Sequence, residues 1–300
     1  MNGLGFHGLD PTTPRPPGTV RVLLTGGSVA KGQAEVGGTE LAAGLARLPA
    51  FHEKRIEVGS LALGGFQQPQ PLHALVHALS LGAELDLVLN LDGFNEVALP
   101  PVYQVPAGLA PYYPRDWQLL TGGSLEGWRE RLSGPASWGS ELAVLAWVAG
   151  EGRYRRQLAA SVVLPEALER SVAVWCESSR LMHDVCRARG IVYLHFLQPN
   201  QYDPESPRLE DSHWRQDSPM RPGAQAGYPR LREAGLTLRS QGVPFVDLSQ
   251  LFAADPAPMY GDDCCHYSPE GIRAVTAAMV ETVAGLPLAP PDARSSPPAR

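Results

Sequence analysis

The sequence predicts an α/β protein, a three-layer α/β/α sandwich around a five-stranded parallel sheet, and three observations predict it. Five short runs of apolar and β-branched residues (20–24, 55–63, 85–91, 191–197 and 244–248) alternate with stretches of helical period. The third run, 85–91, is apolar except at Asp86 and Asn90, as a strand covered on both faces is. No internal repeat or interdomain linker interrupts them, and 300 residues are ample for one such core.

Residues 1–19 hold four prolines and four glycines and read as an extended lead-in. The first strand, 20–24, ends at Thr25-Gly26-Gly27-Ser28, where the glycines permit a tight turn. A glycine-rich segment, 32–38, follows; Thr39 then caps a helix with Glu40 in its first turn and Pro49 just past its end. The second strand, 55–63, ends at Gly64-Gly65, and 71–81 is an amphipathic helix. The third, 85–91, ends at Asp92-Gly93-Phe94-Asn95-Glu96.

Residues 100–165 form an insert. Its first part is proline-rich loop, and 125–148 is partly helical with a break at Gly134-Pro135. Four of the six tryptophans (Trp117, Trp128, Trp138, Trp147) fall here and read as helix packing, with stacking on sugar rings as the alternative. A helix at 166–189 leads into the fourth strand, 191–197, which ends at Gln198-Pro199-Asn200. A polar loop to about Gly227, a helix at 228–240, the fifth strand and an irregular loop to Tyr267 follow. The last helix, 269–284, has Ser268 as N-cap and Pro269 at its first position. One domain therefore spans 20–286, with a Pro/Ser-rich tail at 287–300.

A net charge of −6, with no basic stripe, excludes a nucleic-acid surface. Only Lys31 and Lys54 occur, so arginine carries the positive charge; with 31 Gly and 29 Pro this composition points to a GC-rich bacterial genome. Cys176, Cys186, Cys264 and Cys265 have the spacing of neither a disulfide framework nor a zinc ribbon, and read as reduced thiols. No run approaches the ~18 apolar residues of a membrane span, and no secretory signal opens the chain. Localisation stays open: cytoplasmic as written, extracytoplasmic if the natural N-terminus is longer.

Chemistry concentrates where strands end. Ser28 follows the first strand, Gly64-Gly65 the second and Asn95 the third; after the fifth comes Tyr260-Gly-Asp-Asp-Cys-Cys-His266, with the only Asp-x-x-His spacing in the chain. In a parallel sheet these ends share one edge, where ligands bind. A serine hydroxyl becomes a nucleophile when a base takes its proton and an acid orients that base. Ser28, His266 and Asp263 supply the three. The Ser28 and Gly65 N–H groups and the Asn95 amide are candidate donors to an oxyanion. Each piece also has a bland reading: Ser28 as helix cap, Gly64-Gly65 as a turn, Asn95 as a loop cap, His266 as a surface histidine.

These residues resemble the SGNH (GDSL-like) hydrolase superfamily. Gly26-Gly27-Ser28 stands where its first block has Gly-Asp-Ser, with Gly27 in place of Asp. Gly65, or else Gly64, matches the glycine of the second block. Gly93-Phe94-Asn95-Glu96 matches Gly-x-Asn-Asp with Glu96 for the last Asp, and Asp263-Cys264-Cys265-His266 matches Asp-x-x-His. The likeness spans about 20–285 and is weakest over 100–165, where nothing specific matches. It implies a flavodoxin-like sandwich and hydrolysis of acyl esters through an acyl-Ser28 intermediate, without metal or cofactor. His266 would act as base and then acid, and Asp263 would orient it. The implied substrate is a small-molecule or carbohydrate ester, short-chain or O-acetyl. An acyltransferase with the same triad, or a catalytically silent glycan-binding protein, is the alternative.

Three other motifs fail. Ala30 stands where a Gly-x-Ser-x-Gly nucleophile elbow needs glycine. Gln33-Ala34 replaces the Lys-Ser/Thr of a P-loop. The contiguous residues 262–266 cannot all converge on a metal, and no second ligand group stands out in the sequence.

Overall fold

A computed structural model describes residues 2–105, 110–114, 165–206, 217–253 and 257–287. In chain order its strands are β1 (Thr19–Gly26), β2 (Arg55–Ser60), β3 (Leu87–Asp92), β4 (Val192–Leu197) and β5 (Phe245–Asp247). Its helices are α1 (Ser28–Ala46), α2 (Gln70–Ser80), α3 (Phe94–Ala98), α4 (Pro165–Ala188), α5 (Arg221–Ser240) and α6 (Pro269–Ala284). All strand pairs are parallel, in the order β2-β1-β3-β4-β5, with helices on both faces. The predicted sandwich is thus the observed one. No helix among the described residues is long and apolar enough to cross a membrane.

β1 and β3 are buried at every position, as the unbroken apolar runs require. Arg21 is the charged exception in β1. Its guanidinium donates to the carbonyls of Pro11 (3.2 Å), Thr13 (2.6 Å) and Pro14 (3.0 Å) and meets Glu57 at 3.1 Å. A buried charge is tolerable only when so satisfied, and the arrangement straps the lead-in across the sheet.

Most elements lie within three residues of their predicted bounds, and α6 matches at both ends. Two departures share one cause. α1 starts at Ser28 and runs through the glycine-rich segment, so Thr39 is interior and caps nothing. A Cβ at Gly37 would lie 2.9 Å from both Ile272 Cγ2 and Thr276 Oγ1 of α6, and one at Gly44 2.6 Å from Val280 Cγ2. α5 likewise starts at Arg221 rather than 228 and carries Pro229 inside it. There, side chains at Gly223 and Gly227 would overlap Val97 of α3. These glycines permit close helix contacts rather than breaking helices. The helix expected at 125–148, the four tryptophans of the insert and the tail beyond 287 lie outside the described residues.

Candidate active site

The strand order reverses between β1 and β3, and a parallel sheet of this order binds its ligands at the carboxyl ends of those two strands. Ser28 lies there, at the first position of α1, with Gly27 as N-cap. Residues in the first helical turn have N–H groups without intrahelical acceptors, and the helix dipole adds partial positive charge.

His266 reaches this serine from a loop some 240 residues later in the chain: its Nε2 is 2.8 Å from Ser28 Oγ. The loop is short and tightly closed. Tyr260 and Tyr267 form a bridge across it, and Gly261 N–H donates to the His266 carbonyl at 2.8 Å.

The acid behind the imidazole is Asp262, not Asp263. Asp262 Oδ2 holds His266 Nδ1, while Oδ1 accepts the backbone N–H groups of Cys264 (2.9 Å), Cys265 (3.1 Å) and His266 (3.2 Å). One carboxylate thus shapes the turn and orients the ring. Asp263 contributes its backbone carbonyl, which accepts the Tyr202 hydroxyl at 2.5 Å. Burial raises the Asp262 carboxyl, but the His266 hydrogen bond and the backbone donors outweigh it and bring the value to about 2. The Asp262 hydrogen bond in turn raises His266, against an opposing effect of burial.

Sequence reasoning missed what holds this loop. Three successive buried residues after β4 donate to three successive carbonyls of the histidine loop. Asn200 Nδ2 reaches Cys264 O (3.3 Å), Gln201 Nε2 reaches Asp262 O (3.0 Å) and the Tyr202 hydroxyl reaches Asp263 O. Asp203, next in line, is tied to α5 by Arg232 at 2.6 Å. The sequence offered one hint, a run of amide side chains at a strand's carboxyl end.

The candidate oxyanion donors converge from β2 and β3. Gly65 occupies the left-handed region (φ +76°) in a turn closed by Phe66 N–H on Leu63 O at 3.2 Å. A Cβ on Gly64 meets nothing within 4 Å. The backbone therefore demands glycine at 65 and is indifferent at 64. Asn95, in the first turn of α3, donates Nδ2 to the Phe66 carbonyl at 2.7 Å. That amide also lies where a side chain on Gly27 would be. Gly27 thus lets Asn95 sit against the turn that carries Ser28, and the pattern's Asp would not fit this arrangement. Glu96 fastens both loops: Oε1 accepts Gln68 N–H (2.9 Å) and Oε2 accepts Gly93 N–H (3.0 Å). Burial, and secondarily Asp92, push its carboxyl well above the usual range. If Asn95 stabilises an oxyanion, Asn95→Ala should lower kcat by about 10²–10³. Steady-state kinetics checks this; a loss under about threefold would remove Asn95 from that role.

The same three residue types meet a second time. His195 Nδ1 is 2.7 Å from Ser179 Oγ, and Nε2 is 2.7 Å from Asp92 Oδ1. Asp92 also accepts from Trp175 (2.6 Å), Asn90 (2.8 Å) and Gln68 (3.0 Å). The His195 side chain is 0% exposed, whereas that of His266 is 44% exposed. Only the latter can meet a substrate; the former is a satisfied polar core.

No protein-family profile matches the chain, and no curated protein matches it. Solved structures do match, SGNH/GDSL-like hydrolases among them. One is a GDSL-like lipase from Bacteroides thetaiotaomicron, 12% identical, covering 88% of each chain with a TM-score of 0.43. An acetylxylan esterase from Geobacillus stearothermophilus is 13% identical over 89% of this chain and 94% of its own, TM-score 0.43. A further acetyl xylan esterase is 14% identical over 88% and 100%, TM-score 0.44. At such identities the likeness is one of chain course, and the activities named are those of the other proteins.

Proposed function

We propose that the protein is a serine esterase that hydrolyses acyl esters through an acyl-Ser28 intermediate. The observation that carries this is the hydrogen-bonded line Ser28 Oγ–His266 Nε2, His266 Nδ1–Asp262 Oδ2, half-open to solvent at the reversal of the sheet.

His266 Nε2 takes the Ser28 proton as Oγ attacks the ester carbonyl. Negative charge on the carbonyl oxygen is met by the Ser28 and Gly65 N–H groups and by Asn95 Nδ2, turned from the Phe66 carbonyl or shared with it. Collapse expels the alcohol, which leaves with the proton from Nε2. Water then attacks the acyl-serine with His266 again as base, and the acid is released. The Asp262 carboxylate stays ionised throughout and stabilises the imidazolium formed in both halves. The substrate class proposed is a short acyl ester, carbohydrate O-acetyl groups included; the Trp-bearing segment 115–164, which follows α3 in the sequence, is the candidate for choosing the alcohol.

Labelling with a fluorophosphonate, followed by peptide mass spectrometry, tests the reading. The label is expected on the peptide holding Ser28 and absent from Ser28→Ala. A folded wild-type sample that takes no label, or takes it elsewhere, refutes an activated Ser28.

A further inference from the structure

Beside the catalytic histidine lies a group of soft donors that ester hydrolysis does not use. Cys264 Sγ is 3.3 Å from Cys265 Sγ and 3.5 Å from Met220 Sδ, which comes from the segment just before α5. The ligand atoms of Cys264, Cys265 and His266 all lie within 4.8 Å of one another. All four cysteines are free thiols. Residues 262–266 look unable to converge when read in sequence, yet the turn built on Asp262 brings three of them together. Met220 adds the donor from elsewhere in the chain that the sequence did not reveal.

We propose that Cys264, Cys265, Met220 and His266 form a binding site for a thiophilic d¹⁰ cation, of the Cu(I), Zn(II) or Cd(II) kind, whose occupancy disables the base of Ser28. Donor chemistry selects the class, because thiolate and thioether sulfurs favour soft ions over Mg²⁺ or Ca²⁺. Geometry supports it. A tetrahedral ion with metal–sulfur bonds of about 2.3 Å sets its sulfurs about 3.8 Å apart. The observed separations need to open by only a few tenths of an ångström. Of the imidazole nitrogens, Nδ1 is held by Asp262, which leaves Nε2 as the ligand. A carboxylate behind a ligating histidine is the outer-shell arrangement that fixes metal-bound imidazoles. The two thiols bind as thiolates and release their protons to solvent, with no change of oxidation state. An ion on Nε2 displaces Ser28 Oγ from its 2.8 Å contact, so ion and substrate chemistry exclude each other.

The test is titration of the reduced, full-length protein with Cd(II), read by sulfur-to-metal charge-transfer absorption. One ion per chain is expected to bind, with affinity falling at least about tenfold in each of Cys264→Ser, Met220→Leu and His266→Ala and unchanged in Cys176→Ser. Thermal melts of the partly exposed Cys264 and Met220 variants separate lost binding from lost fold. No absorption, an affinity unchanged in Cys264→Ser, or an affinity indifferent to His266→Ala overturns the site. Fluorophosphonate labelling of Ser28, each variant against its own metal-free rate, reads the consequence. Cd(II) should block it in wild type, a chelator should restore it, and Cys264→Ser should be insensitive; bound ion with undiminished labelling overturns the coupling. If metal-free protein takes no label, the absorption series still decides the site, and the failure belongs to the esterase reading.

Discussion

Asp262→Asn is expected to lower kcat/KM for ester hydrolysis by about 10²–10⁴, whereas Asp263→Asn should change it less than about threefold. The asymmetry follows from what each carboxylate touches. Asparagine at 262 retains an oxygen for the three backbone N–H groups of the turn, so the loop keeps its shape. Its other atom becomes an NH₂ facing His266 Nδ1. That nitrogen must then accept rather than donate, which forces the proton onto Nε2. A protonated Nε2 cannot take the Ser28 proton. Asp263 has no comparable place: among the described residues its engaged atom is the backbone carbonyl, held by Tyr202. Steady-state kinetics with a chromogenic acetate ester, beside thermal melts of both variants, checks the pair. Greater damage at 263 than at 262 would reverse the assignment.

Gly26→Ala should be the most damaging single methyl in the described chain, at about 2–5 kcal/mol of unfolding free energy. Gly26 closes β1 with φ at +136°, a region L-residues rarely adopt, and its missing Cβ would overlap the Leu91 backbone carbonyl of β3. Another clash, 2.9 Å from Ala30 Cβ, sits on α1. Neither carbonyl nor helix can retreat without moving the turn that carries Ser28. Denaturant unfolding gives the number; a loss under about 0.5 kcal/mol would mean that the turn relaxes easily. Gly64→Ala is the matched control, because its Cβ enters open space.

The sheet was legible because its inner strands β1, β3 and β4 are buried on both faces and stand out as apolar runs, although the edge strands β2 and β5 are partly exposed. Ser28, Asn95 and Gly65 were legible as candidates because each follows the end of a strand, and His266 because it lies in an Asp-x-x-His spacing just before α6. What stayed hidden depends on partners distant in sequence. Gly37 and Gly44 weaken a helix in isolation, and only the presence of α6 against α1 explains them. Asp262 and Asp263 are neighbours, and counting residues back from His266 favours the wrong one. The choice is made by the turn, in which a single carboxylate collects three N–H groups. Asn200, Gln201 and Tyr202 belong to no motif. Their role is set by the carbonyls opposite them, which sequence does not display.

The contact between α1 and α6 joins the two ends of the domain. Gln33 Nε2 donates to Thr276 Oγ1 at 2.6 Å and to the Ile272 carbonyl at 3.1 Å, bridging 243 and 239 positions of sequence. During synthesis Ser28 is made well before His266, and the two meet only when α6 closes against α1. A nascent or truncated chain lacking α6 holds a serine with no base, however well its central strands have paired. Closure over so long a separation is entropically slow, so the Ser28–His266 contact is expected to form late, once α6 has packed on α1.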